Sequence, residues 1–129
     1  MDSLNSLKIG PLVIFLGIAL GAFGAHGLTP LLSPLALSTF QTGVTYQNYH
    51  GLALLILGIL GNLKVLTPRS LRAVHYLFLA GIILFSGNCY LYALTQIKLF
   101  ALLVPLGGLS FLSGWIFIFL QVRQVGKTS

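Results

Sequence analysis

Gly21-Ala22-Phe23-Gly24-Ala25-His26 is the stretch that decides the fold class. It closes an apolar run that begins near Ile9, and it ends that run in small residues and one imidazole. Small side chains let a second helix approach closely, and a histidine at membrane depth needs a hydrogen-bond partner. The pattern is that of a membrane helix bundle with an organised polar end.

Composition agrees. The 129 residues are 57% hydrophobic and 6% charged, against about 25% charged in a soluble domain. Mean hydropathy is +0.98. The length allows one domain, residues 1–129. A net charge of +6 raises the question of nucleic acid. The basic residues stand singly at the ends of apolar runs, so no phosphate-binding face exists and no nucleic-acid partner is expected. Cys89 is the only cysteine, which excludes an intrachain disulfide. Lys8, the run after it, and Ala22 with Gly24 imitate a secretory signal. Three more apolar runs follow, and a retained first span is the expectation.

Spans are expected at about residues 9–25, 43–63, 73–94 and 99–122, since crossing takes about 20 residues. The second reaches that length only if residues 43–50 are helical. Thr29-Pro30, Ser33-Pro34 and Thr67-Pro68 punctuate the connections. Residues 31–43 are too short and polar to span, and read as a short interfacial helix or a structured loop. Alternating ten-residue segments are absent, which argues against a strand barrel. Lys8, Lys64, Arg69, Arg72, Arg123 and Lys127 fall on one face of a four-span protein, and Lys98 alone falls on the other. The positive-inside rule then puts both termini in the cytoplasm. The predicted fold is an all-α four-helix transmembrane bundle.

Glycines mark the packing faces. Gly10, Gly17, Gly21 and Gly24 share a stripe in span one; Gly51, Gly58 and Gly61 recur in span two, and Gly107, Ser110 and Gly114 in span four. Internal packing is favoured over a homo-oligomer seam, because each span needs an inner face first. Pro105, followed by Gly107 and Gly108, predicts a kink or an open carbonyl.

Alternating helix direction collects the polar residues into one outer layer: His26, then Tyr46, Gln47 and His50, then Ser86, Asn88, Cys89 and Tyr90. Asn88 is expected about 9 Å below the end of its span, with His50 at similar depth. His75 and Tyr76, beside Arg72, read as an interfacial anchor. The layer suits a hydrogen-bond clasp worth about 0.6–2 kcal/mol per contact. A metal would find two histidines and one thiol without a carboxylate, and haem propionates would find only Lys98. Asp2, the only acid, lies outside the spans, which argues against proton or cation transport. Asn88 and Cys89 are helical neighbours that point about 100° apart, a poor start for nucleophilic catalysis. No catalytic residue, metal or cofactor is expected. Phe23, Tyr46, Tyr49 and Tyr90 supply aromatic surface for an apolar ligand.

Four blocks carry a family resemblance: Gly21 to Gly27; Gln41-Thr42-Gly43 with Tyr46-Gln47 and His50; Phe85-Ser86-Gly87 with Tyr90; and Pro105-Leu106-Gly107-Gly108 with Ser110-Phe111-Leu112 and Gly114-Trp115. In these the chain resembles the small bacterial membrane proteins known as domain of unknown function 423, related to the eukaryotic transmembrane protein 256 group. The resemblance implies four membrane helices and no assigned reaction, and it brings Gln41 among the binding candidates; the bacterial plasma membrane is the expected location. Asn88-Cys89 departs from the small or apolar residues usual there. The expectation is a non-enzymatic scaffold or accessory subunit, working with membrane lipids and with copies of itself or a partner membrane protein. The alternative is binding or transport of a small apolar or neutral ligand such as a quinone or lipid.

Overall fold

A computed structural model describes residues 2–127, without the side chain of Arg123, one of the charges counted above. Those residues form four long helices: α1 (Asp2–Leu28), α2 (Pro34–Asn62), α3 (Pro68–Thr95) and α4 (Lys98–Val125). Two prolines that punctuate the sequence turn out to start helices. Ser33 and Thr67 cap the amides of Ala36 and Ser70, each at 3.2 Å, and Pro34 and Pro68 occupy the first turn. Proline suits that position because the missing N–H would have had no helical partner. Residues 34–43 are therefore the opening turns of α2, not a separate interfacial helix. At the other end of α3, Gln96 takes a left-handed conformation (φ 59°) and stops the helix.

Asp2–Leu28, Pro68–Thr95 and Lys98–Val122 are long and apolar enough to cross a membrane. At 29 residues α2 is about 43 Å long, but it carries more polar residues, and Gln47 and His50 among them are buried. Pro105 lies inside a continuous helix. The irregularity expected there appears instead as π-helical turns in other places, Gly24–Leu28 closing α1 and Ile82–Gly87 within α3.

The helices pack in chain order. Along the antiparallel pair α1–α2, a Cβ on Gly10 would stand 2.8 Å from Leu55 N, and one on Gly24 2.9 Å from the Phe40 ring. From the opposite side, a Cβ on Gly51 would meet Ile14, and one on Gly58 would meet Ser3 O and Leu7. Such backbone proximity replaces the hydrophobic drive that lipid removes. Where both termini lie, α3 touches α1 through Ser6 Oγ and His75 Nδ1 (2.7 Å) and through an Asp2–Arg72 ion pair at 3.1 Å. His75 is thus a buried, hydrogen-bonded residue and not the interfacial anchor expected. It lies about 10 Å inside a helix that begins at Pro68, five residues earlier than the predicted span.

On the far side, α4 packs along α3. Among the described residues no Cα of α4 comes within 8 Å of one in α1 or α2. The assembly is open between α2 and α4, where only side chains meet. Its main core includes Leu54, Leu57, Val74, Phe78 and Phe111.

Candidate functional site

Two polar levels are built on overlapping stretches of α2, the first against α3 and the second facing α4. The first is built around the π turn of α3. Ser86 donates to Gly43 O at 2.7 Å, and Asn88 donates to Leu84 O at 2.6 Å within its own helix. Leu84 lies in the π turn, where the shift from i+4 to i+5 bonding changes the partners of its carbonyl. Gly43 has no room for a side chain, since its Cβ would stand 2.7 Å from the Tyr90 ring. Tyr90 Oη donates to Gln47 Oε1 at 2.6 Å, and Gln47 Nε2 donates to Val13 O at 3.0 Å. One carboxamide therefore joins α3, α2 and α1.

Removing it has a calculable effect. Gln47→Ala deletes two interhelical bonds and leaves the Tyr90 hydroxyl unpaired, so a loss of about 1–3 kcal/mol is expected in detergent unfolding. Tyr90→Phe should cost less alone. Added to Gln47→Ala it should cost almost nothing, because its bond is already gone. Fully additive losses would contradict the chain of bonds.

The second level, on the part of α2 from Tyr46 to His50 that faces α4, is aromatic. His50 Nδ1 lies 2.7 Å from Tyr46 O, and His50 Nε2 lies 3.0 Å from Trp115 Nε1. A carbonyl only accepts and an indole N–H only donates, so the imidazole is neutral with its proton on Nδ1. Its ring lies flat on Phe111, centroids 3.5 Å apart and planes 9° from parallel, and meets Phe78 edge-on at 5.2 Å. Phe111 in turn fills the space that a Gly81 side chain would need. Beside this stack, Tyr46, His50, Phe85, Gly108, Phe111, Leu112 and Trp115 line an open-sided cleft of about 280 Å³. It occupies the gap between α2 and α4.

The candidates drawn from sequence divide accordingly. Gln47, Ser86, Tyr90 and Asn88 belong to the first level, and Tyr46 and His50 to the second. His26 is exposed at the π-helical end of α1, and Gln41 lies against Gly24; neither side chain has a hydrogen bond among the described residues. The two histidines are not brought together. Gly24 packs on Phe40, and His50 lies a further 15 Å or so along α2. The single layer fails because α2 starts at Pro34, which makes His50 a mid-helix residue.

Gly17, Gly21, Gly24, Gly51 and Gly58 line the α1–α2 contact, and Gly107 and Gly114 the α3–α4 contact. Among the described residues no three His, Cys, Asp or Glu side chains gather as metal ligands. Sequence reasoning missed Phe111 and Trp115 as site residues. Their signal was the spacing of Gly108, Phe111, Leu112 and Trp115, which recurs every three or four residues and marks one helix face.

Residues 20–108 match the family described as "Protein of unknown function (DUF423)". The chain belongs to this family. It is 43% identical over 110 residues to a UPF0382 membrane protein of Staphylococcus aureus, covering 85% of this chain and 88% of the relative. It is 40% identical over 117 residues to one of Staphylococcus saprophyticus (91% and 95% covered). UPF0382 membrane protein YwdK of Bacillus subtilis is 39% identical over 110 residues (85% and 89% covered). No solved structure matches. With relatives named as membrane proteins and three helices of spanning length and apolarity, the chain is an integral membrane protein. The family match holds Gln47, His50, Ser86 and Tyr90, and ends at Gly108.

Proposed function

We propose that the chain is a non-enzymatic scaffold or accessory subunit of the bacterial plasma membrane. In this reading all four helices cross, and both termini are cytoplasmic. One observation carries it: Gln47, Ser86 and Tyr90 are engaged in holding helices together, through Tyr90 to Gln47 to Val13 O and Ser86 to Gly43 O. Groups spent on helix contacts are a fastening, and α2 can cross because its Gln47 and His50 bond inward. Lipids surround the exposed apolar faces, and a second copy or another membrane protein is the expected partner.

Topology and partnership are tested separately. A periplasmic-type phosphatase reporter fused after Gln96 should be active and one fused after Gly126 inactive; the reverse overturns the orientation. Native mass spectrometry of the protein ejected from its own membrane should show added polypeptide mass. The bare chain overturns the accessory role.

The cleft favours a second reading, binding of a small apolar or neutral ligand. Its aromatic lining and its volume of about 280 Å³ suit a site that takes most of its contact from apolar surface.

A further inference from the structure

Packing accounts for Gly107 and leaves its neighbour Gly108 unexplained. A Cβ on Gly107 would fall on the backbone of α3, 2.7 Å from Leu84 C and Phe85 Cα. On Gly108 the same atom would stand 3.9 Å from Phe85 Cδ2, an ordinary contact. Glycine inside a helix costs about 1 kcal/mol relative to alanine, and here no close approach offsets it. Gly108 lines the cleft, and a side chain there would project beside Phe85.

A second observation comes from the rim. The Tyr46 ring is held against Phe85 at 4.8 Å, yet its hydroxyl has no hydrogen-bond partner among the described residues. The other polar groups of the stack, both nitrogens of His50 and the indole N–H of Trp115, are occupied. Tyr46 is 40% exposed, so this hydroxyl is within reach of a molecule in the cleft. Tyr46 is left with a donor to give.

Resting on the ligand-binding reading above, we infer that the cleft binds the ring headgroup of a neutral, carbonyl-bearing membrane amphiphile of quinone type. The ring lies over Gly108 against Phe85, Phe111 and Trp115, and Tyr46 Oη donates to its carbonyl. Size agrees: an apolar cavity of about 150 Å³ holds benzene, so about 280 Å³ takes one ring or a fused pair. A hydrocarbon tail leaves between α2 and α4, where the backbones do not meet. Charge agrees as well. No Asp, Glu, Lys or Arg lines the cleft, so a phosphate or ammonium headgroup would be buried without a partner.

Trp115 is the only tryptophan, so intrinsic emission reports on this cleft alone. The probe is 2-methyl-1,4-naphthoquinone, titrated into the protein in phosphatidylcholine vesicles, which contain no other protein. Quenching should saturate. Gly108→Leu should weaken binding by at least about tenfold by occupying the space, with the melting temperature retained. Tyr46→Phe should weaken it about fivefold, the value of one hydrogen bond. 2-Methylnaphthalene, the same shape without oxygen, should displace the quinone less well and be indifferent to Tyr46→Phe. Should Gly108→Leu not fold, Leu112→Phe fills the cleft from the same helix. Quenching that rises linearly and equally in the filled variant overturns the inference and the ligand-binding reading together. Equal affinity for both probes, with Tyr46→Phe silent, overturns recognition of the carbonyl and leaves apolar binding standing.

Discussion

Gly107→Ala is expected to lower stability by about 3 kcal/mol or more, an overpacking effect at the upper end of the range. The added methyl has nowhere to go. It would lie 2.7 Å from Leu84 C and Phe85 Cα, and closer still to Phe85 N. Those are backbone atoms of the π turn, which cannot rotate aside as a side chain can. α4 must then move away from α3, stretching the bond from Ser110 Oγ to Leu77 O (2.6 Å) and lifting Phe111 from His50. Circular dichroism melting in a fixed detergent gives the measurement, with Gly108→Ala as the control one residue along. That control should be neutral or slightly stabilising, since its methyl meets only Phe85 Cδ2 at 3.9 Å. If both variants melt together, the close approach of α3 and α4 at Gly107 is wrong.

Phe111→Ala should cost about 3 kcal/mol, near the low end for a buried aromatic. The low end applies because lipid chains are as apolar as the protein interior, which leaves lost contacts as the main term. Phe111 is 4% exposed, fills the hollow at Gly81 and supports the imidazole of His50 face to face. With the ring gone His50 is free to tilt, and its bond to Trp115 is the next to weaken. Two readouts should therefore move together, the melting temperature and the emission maximum of Trp115. Phe111→Leu should recover part of the stability while leaving the imidazole without its stacked partner. A loss under about 1 kcal/mol, with unchanged emission, would show that Phe111 does not hold the aromatic level together.

Some of this was legible before any tertiary structure. The lipid-length apolar runs gave four helices, and the glycine stripes gave their contact faces, because both are periodic properties of short stretches of chain. Ser33-Pro34 was harder. The same dipeptide can end one element or cap the next, and only the Ser33 to Ala36 contact shows that it starts α2. That ambiguity misplaced His50 by several turns and created the single layer. The reading of His75 failed the same way, since Thr67 and Pro68 begin α3 well before the apolar run makes the helix obvious.

By itself, then, the sequence determined the solvent, the number of helices and the residues that let them touch. These follow from composition and spacing, which every segment carries locally. Tertiary structure alone decided that His50 meets Phe111 and Trp115 on α4, with Trp115 65 positions distant along the chain, and that α2 and α4 stand apart around a cleft. The reason is rotational: the π turn at Ile82–Gly87 and the contact at Gly107 set how α4 is turned and spaced on α3. That angle belongs to a pair of helices and is written in neither one.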